Sequence, residues 1–279
     1  MSHYDLIVIG SGPAGRRAAV QAAKLKKTVL CVDRGRRVGG VCVHTGTIPS
    51  KTLRETVLNL TGWRERGFYG RGYRVKDRIT ADDLMQRLTK TLDHEVELLE
   101  HQFTRNKVEI GRGAARFTDA NSIEIDCGEG ETLKASADKF ILAIGTRPYR
   151  PDNIPFDDAI LDADEILELT RLPRSLTVIG GGVIGIEYAT IFSALDVKVT
   201  VLEAADGLLK FVDRELIDEF MHDLRDRGVT IRLNAVTTSV SRQGEDACLV
   251  ELEDGRQVWS EMVLYAAGRQ GAGEGLNLE

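Results

Sequence analysis

The chain lacks a disulfide framework. Its 279 residues carry four cysteines, Cys31, Cys42, Cys127 and Cys248, at scattered spacings that suit neither paired bridges nor a zinc site. The plain reading is reduced, mostly buried thiols in a cytoplasmic protein. Five histidines (3, 44, 94, 101 and 222) are equally dispersed, so no metal site is expected. No run of 18 or more apolar residues occurs, which argues against a transmembrane helix. MSHYDLIVIG has no cationic segment ahead of its apolar run and does not read as a signal peptide. Cations are not in excess either. Lys and Arg number 37 against 43 Asp and Glu, a net charge of −6, and the only dense basic run is RGRR (Arg34, Arg36, Arg37). Nucleic acid is a poor fit as main partner, because phosphate contacts need clustered cations. Proline is scarce, and three of its six residues fall in PYRPDNIPFDDA, which marks a linker and a domain boundary near residue 150.

What is present is a pattern stated twice. YDLIVIGSGPAG (4–15) and SLTVIGGGVIG (175–185) are β-branched runs that end in G-x-G-x-x-G, at Gly10, Gly12 and Gly15, then at Gly180, Gly182 and Gly185. Each is followed by a helix-like stretch, RRAAVQAAKL or IEYATIFSAL, and by a second apolar strand, TVLCVD or KVTVLE. Both second strands end in an acid, Asp33 or Glu203, 23 positions after the first glycine. The first glycine permits a tight turn, the second lets backbone approach a pyrophosphate, and the third lets helix and strand pack closely. Free N–H groups at the helix start favour the anion, and the acid receives an adenosine ribose. A lone glycine fingerprint is weak evidence, but two complete strand–helix–strand–acid units predict two Rossmann-like dinucleotide sites in an α/β protein. Two such sites suggest electrons moving between two cofactors.

Between the repeats, PSKTLRETVLNLTGW (49–63) reads as a helix with Pro49 and Ser50 at its start. Residues 80–106 read as a long amphipathic helix capped by Thr80, with Leu84, Leu88, Leu92, Val96 and Leu99 as a core-facing stripe. Residues 111–148 read as short strands joined by turns, a β-meander of the kind that covers one face of a sheet, ending in a buried strand.

The set GSGPAG, GGVCVHTGTIPSK, AIGTRP, GGGVIGIEYA and LYAAGR resembles the two-dinucleotide flavoprotein oxidoreductases related to dihydrolipoamide dehydrogenase and glutathione reductase, along nearly the whole chain. The resemblance implies FAD on Gly10, Gly12, Gly15 and Asp33, and a nicotinamide nucleotide on Gly180, Gly182, Gly185 and Glu203. It extends the cofactor contacts to Pro13, Ala14, Arg34, Val38, Gly39, Gly40, Val41, Cys42, Thr47, Lys51, Gly113, Ile144, Gly145, Thr146, Val183, Ile184, Glu187, Val236 and Gly268. Most of the family has a second cysteine where Thr47 stands, and thiol–disulfide exchange needs that partner sulfur. CVHTGTIPSK is instead similar to the soluble, FAD-containing, Si-specific pyridine nucleotide transhydrogenases. That branch implies a ping-pong cycle: NADPH reduces FAD, NADP+ leaves, and NAD+ takes the hydride. Two alternatives stay open: a dihydrolipoamide dehydrogenase-like FAD/NAD reductase with another acceptor, and a nucleotide-binding remnant without catalysis.

Single residues then acquire expected roles. By resemblance, Lys51 lies near flavin N5 and pairs with Glu187, making these two the catalytic candidates. Cys42 and His44 read as lining residues. Glu203 favours the free 2′-hydroxyl of NAD(H), and Lys210 and Arg214 are the cations at hand for the 2′-phosphate of NADP(H), though both read equally well as surface charges. The expected domains are 1–150 for FAD, without its final strand segment, and 151–279 for NAD(P). The resemblance also implies a C-terminal dimerisation domain, absent here, whose partner subunit completes the site in a homo-oligomer. The chain is therefore expected to be a fragment with an open sheet edge, weak FAD binding and poor activity.

Overall fold

The computed structural model describes residues 2–70 and 72–278. In chain order the elements are β1 (Ser2–Ile9), α1 (Pro13–Lys24), β2 (Val29–Asp33), α2 (Gly40–His44), α3 (Thr47–Leu60), α4 (Arg66–Tyr69), α5 (Ala81–Arg105), β3 (Glu109–Arg112), β4 (Ala114–Asp119), β5 (Ser122–Gly128), β6 (Glu131–Leu142) and β7 (Thr146–Pro148). There follow β8 (Ile160–Asp162), β9 (Ser175–Ile179), α6 (Val183–Ala194), β10 (Lys198–Leu202), α7 (Arg214–Asp226), β11 (Thr230–Arg232), β12 (Thr237–Arg242), β13 (Cys248–Leu252), β14 (Gln257–Ser260), β15 (Met262–Tyr265) and β16 (Arg269–Gly271).

The chain divides into two compact units. The first gathers residues 1–49, 89–147 and 270–279; the second gathers 50–88 and 148–269. The chain passes between units four times, once next to residue 150. Two segments group differently from a single cut there: 50–88 belongs with the second unit and the last ten residues with the first. The tail is held by packing. Leu276 is buried in the first unit's core, and its carbonyl accepts the N–H of Phe117 at 2.9 Å.

In the first unit the sheet order is β3-β2-β1-β6-β5-β4. Strands β3, β2, β1 and β6 are parallel, as the intervening helices require. β6 is long enough to pair twice, parallel to β1 over 135–142 and antiparallel to β5 over 131–136. Alternate residues of β1 enter two cores. Leu6 and Val8 meet Ala19 of α1 and Val96, Leu99 and Phe103 of α5. Ile7 and Ile9 meet Ala115, Ile123, Ile125 and Ala137 of the meander, which therefore covers that face while joined to the sheet through β6. Past residue 136, no strand among the described residues pairs with the outer side of β6, and Ile141 and Leu142 are 38% and 44% exposed.

The second unit repeats the plan. Five parallel strands run β11-β10-β9-β15-β8, and a separate antiparallel meander β12-β13-β14 packs Val240, Val250, Leu252 and Val258 against Ile179, Leu202 and Val263. The long helix α5 begins one residue after Thr80, whose hydroxyl accepts the N–H of Asp83 at 3.3 Å, while the Asp83 carboxylate accepts the Thr80 N–H at 2.8 Å. This reciprocal cap fixes its start. Of its apolar stripe, Leu84, Leu88, Val96 and Leu99 are buried and Leu92 is half-buried. Helix α3 starts at Thr47, two residues earlier than the proline suggested; Pro49 fits its first turn because an N–H there has no intrahelical acceptor. No helix among the described residues is long and apolar enough to cross a membrane.

Candidate functional site

Each unit builds a cleft where its first strand turns into a helix. Gly10 has φ +105°, and a Cβ there would lie 2.2 Å from the carbonyl oxygen of Ala143. A Cβ on Gly15 would lie 1.8 Å from the carbonyl oxygen of Gly10. These two glycines are small because the protein's own backbone fills the space. Gly12 differs: a Cβ there would meet nothing within 4 Å. The second unit follows the same rule. Gly180 has φ +107° and would strike the Ala266 carbonyl at 2.7 Å, Gly185 would strike Gly180 at 2.0 Å, and Gly182 faces open space. The backbone ties match as well. The Gly10 N–H donates to Val32 O at 2.7 Å and the Gly180 N–H to Leu202 O at 2.8 Å. Helices α1 and α6 both start at the open glycine and carry no acid in the first turn, so their unpaired N–H groups face an uncontested anion position.

The acids are held in the same way in both copies. Asp33 accepts the backbone N–H of Ser11 at 2.7 Å through one oxygen and that of Gly35 at 2.8 Å through the other. Glu203 accepts those of Gly181 at 2.6 Å and Ala205 at 2.8 Å. Each carboxylate thus joins the glycine loop to the turn after the second strand, oriented by two backbone donors. In the first unit the Ser11 hydroxyl adds a third bond to Asp33 and accepts the Gly39 N–H at 2.9 Å.

The first cleft encloses about 540 Å3. Gly10, Gly12, Pro13, Ala14, Asp33, Arg34, Gly40, Val41, Cys42, Ile144, Gly145 and Thr146 line it, together with His44. Sequence reasoning missed Ser11, Ala114, Ala115 and Leu142, and also Ala272, Glu274, Gly275 and Leu276, which reach it only because the tail folds back. Gly15, Val38, Gly39, Thr47 and Gly113 do not line it. Val38 is in the core, and Gly113, at φ +143°, makes the tight passage from β3 to β4, where a Cβ would lie 2.3 Å from the carbonyl oxygen of Asp126. The second cleft encloses about 660 Å3 and is lined by Gly180, Gly182, Val183, Ile184, Glu203, Val236 and Gly268, with Tyr149, Asn153, Thr237, Tyr265 and Arg269 in addition. Lys210 and Arg214 do not line it; they pair one turn along with Asp206 and Asp218. Lys51 and Glu187 form an ion pair within the second unit, the lysine exposed and the carboxylate largely covered; neither lines the second cleft.

All four cysteines are free. Burial pushes the Cys31 thiol up to about 12, with the Asp33 charge adding to it, and the Cys248 thiol up to about 11. His44 bonds through Nε2 to the Val38 carbonyl at 3.0 Å, so it braces the loop before α2.

The profile of the family described as "Pyridine nucleotide-disulphide oxidoreductase" matches residues 4–279. The chain belongs to the pyridine nucleotide-disulphide oxidoreductase family. It is 48% identical over 280 residues to a soluble pyridine nucleotide transhydrogenase of Mycobacterium tuberculosis, covering 100% of this chain and 60% of that one. It is 39% identical to a soluble pyridine nucleotide transhydrogenase of Colwellia psychrerythraea, covering 99% and 59%. Among solved structures it superposes with TM-score 0.86 and 30% identity on a Cu(II) complex of the HOCl-induced flavoprotein disulfide reductase RclA from Escherichia coli, covering 99% of this chain and 59% of that one. The chain therefore spans about three fifths of the relatives it matches. In this pyridine nucleotide-disulphide oxidoreductase, Cys42 is the one cysteine lining the first cleft among the described residues, and the residue five positions on, at the start of α3, is Thr47.

Proposed function

We propose that the protein is an FAD-dependent transhydrogenase of the cytoplasm that passes hydride from NADPH to NAD+ without a redox disulfide. The observation that carries this reading is the pair of clefts that share one glycine turn and one backbone-clamped acid, in a chain whose first cleft offers a single thiol. A disulfide relay needs two sulfurs, and Thr47 cannot supply the second. The first cleft fits FAD: Gly12 leaves its backbone open where a pyrophosphate must pass, and Asp33 is held ready for a ribose. FAD, when bound, supplies a ring that accepts hydride from one nicotinamide and yields it to another.

The chain's own contribution is to hold and orient. Gly10, Gly12 and the start of α1 would seat the FAD pyrophosphate, Gly15 letting the helix pack against the strand, with Arg34, Val41, Cys42, Ile144, Gly145 and Thr146 along the cofactor. Gly180, Gly182, Val183, Ile184, Val236 and Gly268 would seat the nicotinamide nucleotide, with Gly185 letting α6 pack against β9. Glu203 supports NAD(H) directly; NADP(H) comes from the likeness to the transhydrogenases. Lys51, paired with Glu187, is the candidate catalytic cation.

The test is anaerobic. FAD-loaded protein is reduced with NADPH and then mixed with NAD+ or thio-NAD+. Reoxidation by the second nucleotide, with no change in thiol count, supports the reading. Flavin that is reduced but reoxidised only by a disulfide substrate overturns it.

A further inference from the structure

Four arginines between residues 54 and 74 (Arg54 on α3, Arg64, Arg66 and Arg74) meet a fifth, Arg227 at the end of α7, in the second unit. Among the described residues, three carboxylates pair with them. Glu55 takes Arg54 at 2.8 Å and Arg64 at 2.7 Å, Asp196 takes Arg66 at 3.3 Å and also Arg74, and Asp223 takes Arg227 at 2.5 Å. The Arg64 guanidinium, with Arg54 beside it, holds Glu55 below the usual carboxylate range. Glu55 and Asp196 are thus each shared between two guanidiniums, on a chain whose net charge is −6. The guanidiniums of Arg66 and Arg227 stack on Trp63, 4.8 and 5.0 Å from its ring centroid. The buried Nε–H of Arg227 has no acceptor among the described residues.

Arg54, Arg64 and Arg227 rim a cleft of about 370 Å3 with Trp63 in its wall. Its floor is apolar, built by Val57 and Leu58 of α3, Ile186 and Ile191 of α6, and Phe220 of α7. Among the described residues no acidic residue lines it, and it shares none with either dinucleotide cleft. The volume is that of a small-molecule site. A cationic rim over an apolar floor selects one chemistry: forked guanidiniums take a carboxylate, and the floor takes an alkyl or aryl body. We propose that this cleft binds a small organic carboxylate with an apolar body, at a site separate from the two dinucleotide sites. An occupant would touch α3 and α6, the two helices that carry Lys51 and Glu187.

Trp63 serves as the reporter, because Trp259 is the only other tryptophan. In a Trp259→Phe background, titration with octanoate is expected to change Trp63 fluorescence saturably, and NAD+ is expected not to displace it. Octanol, which lacks the charge, and inorganic phosphate, which lacks the body, are each expected to bind at least about tenfold more weakly. Arg64→Gln, at an exposed position, is expected to weaken octanoate about tenfold, with Arg54→Gln as a second variant whose fold is checked by circular dichroism. No saturable response, equal binding of octanol or of phosphate, displacement by NAD+, or full affinity in both folded arginine variants would overturn the proposal.

Discussion

Asp33 accepts both the backbone N–H and the hydroxyl of Ser11, the residue between the first two glycines of the fingerprint. The hydroxyl in turn accepts the Gly39 N–H, so one serine side chain joins the acid to the loop that leads into α2. At the corresponding place in the second unit stands Gly181, which keeps the backbone bond to Glu203 and nothing more. A Cβ at Gly181 would lie 2.3 Å from Leu208 Cδ2 and 2.9 Å from the Glu203 carboxylate. The two copies share the backbone clamp and differ in what is packed over it.

Replacing Ser11 by alanine removes the hydroxyl bond to Asp33 and leaves the Gly39 N–H without its acceptor in a buried place. The expected loss of stability is about 1–3 kcal/mol, the cost of leaving such a donor unpaired. Urea unfolding measures this, and FAD titration is expected to show weaker binding in parallel. Unchanged stability and affinity would mean that Ser11 is passive.

The glycines divide into two kinds that experiment can separate. Gly15→Ala and Gly185→Ala put a Cβ within about 2 Å of backbone oxygen and are expected to disrupt their own units. Gly12→Ala and Gly182→Ala meet no protein atom, and both backbones have negative φ, so stability is expected to stay within about 0.5 kcal/mol. Dinucleotide affinity is nevertheless expected to drop, at the first cleft for Gly12→Ala and at the second for Gly182→Ala. Thermal melts with and without nucleotide distinguish the two kinds.

Much of this was legible because it is local. The strand–glycine–helix–strand–acid unit is set by residues close in sequence, and the coincidence of two copies made its meaning specific. The meander and the start of α5 were legible for the same reason: short strands joined by turns, and Thr80 ahead of an apolar stripe. What escaped depends on distant residues meeting. Leu276 reaches the first cleft only through the returning tail, and Arg227 joins Arg54 and Arg64 across more than 160 positions. Gly113, a cofactor contact by resemblance, has a positive φ and lies against the Asp126 carbonyl, as a turn glycine does. A glycine needed by a turn and one needed by a ligand look the same in sequence.

Thiol chemistry should follow the same geometry. Cys31 and Cys248 are buried, with thiols pushed up to about 12 and about 11, so almost no thiolate exists at pH 8. Iodoacetamide is expected to modify no more than Cys42 and Cys127 in the native protein, and all four after denaturation. Bound FAD should protect Cys42. Reduction by NADH is expected to add no titratable thiol; a gain of two would reveal a disulfide and refute a dithiol-free cycle.

The cap of α5 carries a pH signature. Lys76 and the Thr80 donors hold the Asp83 carboxyl down at about 2, below its ordinary 3.8. A lowered pKa in the folded state favours the ionised form, so its contribution is complete above about pH 4 and is lost as pH falls towards 2. Acid unfolding of Asp83→Asn is expected to be less steep than wild type in that window, with the two curves parallel above pH 5. Parallel curves throughout would show that the cap does not depend on charge.

Lys51 separates stability from chemistry. Its partner Glu187 is largely covered, but the lysine is 59% exposed, so the pair is worth at most about 1 kcal/mol to folding. Lys51→Met is therefore expected to unfold within about 1 kcal/mol of wild type. If the lysine's charge faces developing negative charge in the reduced cofactor, its loss should slow anaerobic reduction by NADPH by roughly a hundredfold. Lys51→Arg should recover most of that rate, because it restores a cation, and Glu187→Gln should slow it less, because the cation remains. Stopped-flow absorbance at the flavin band reads all three. A Lys51→Met protein that folds, holds FAD and is reduced at the wild-type rate would leave the ion pair a purely structural tie between α3 and α6.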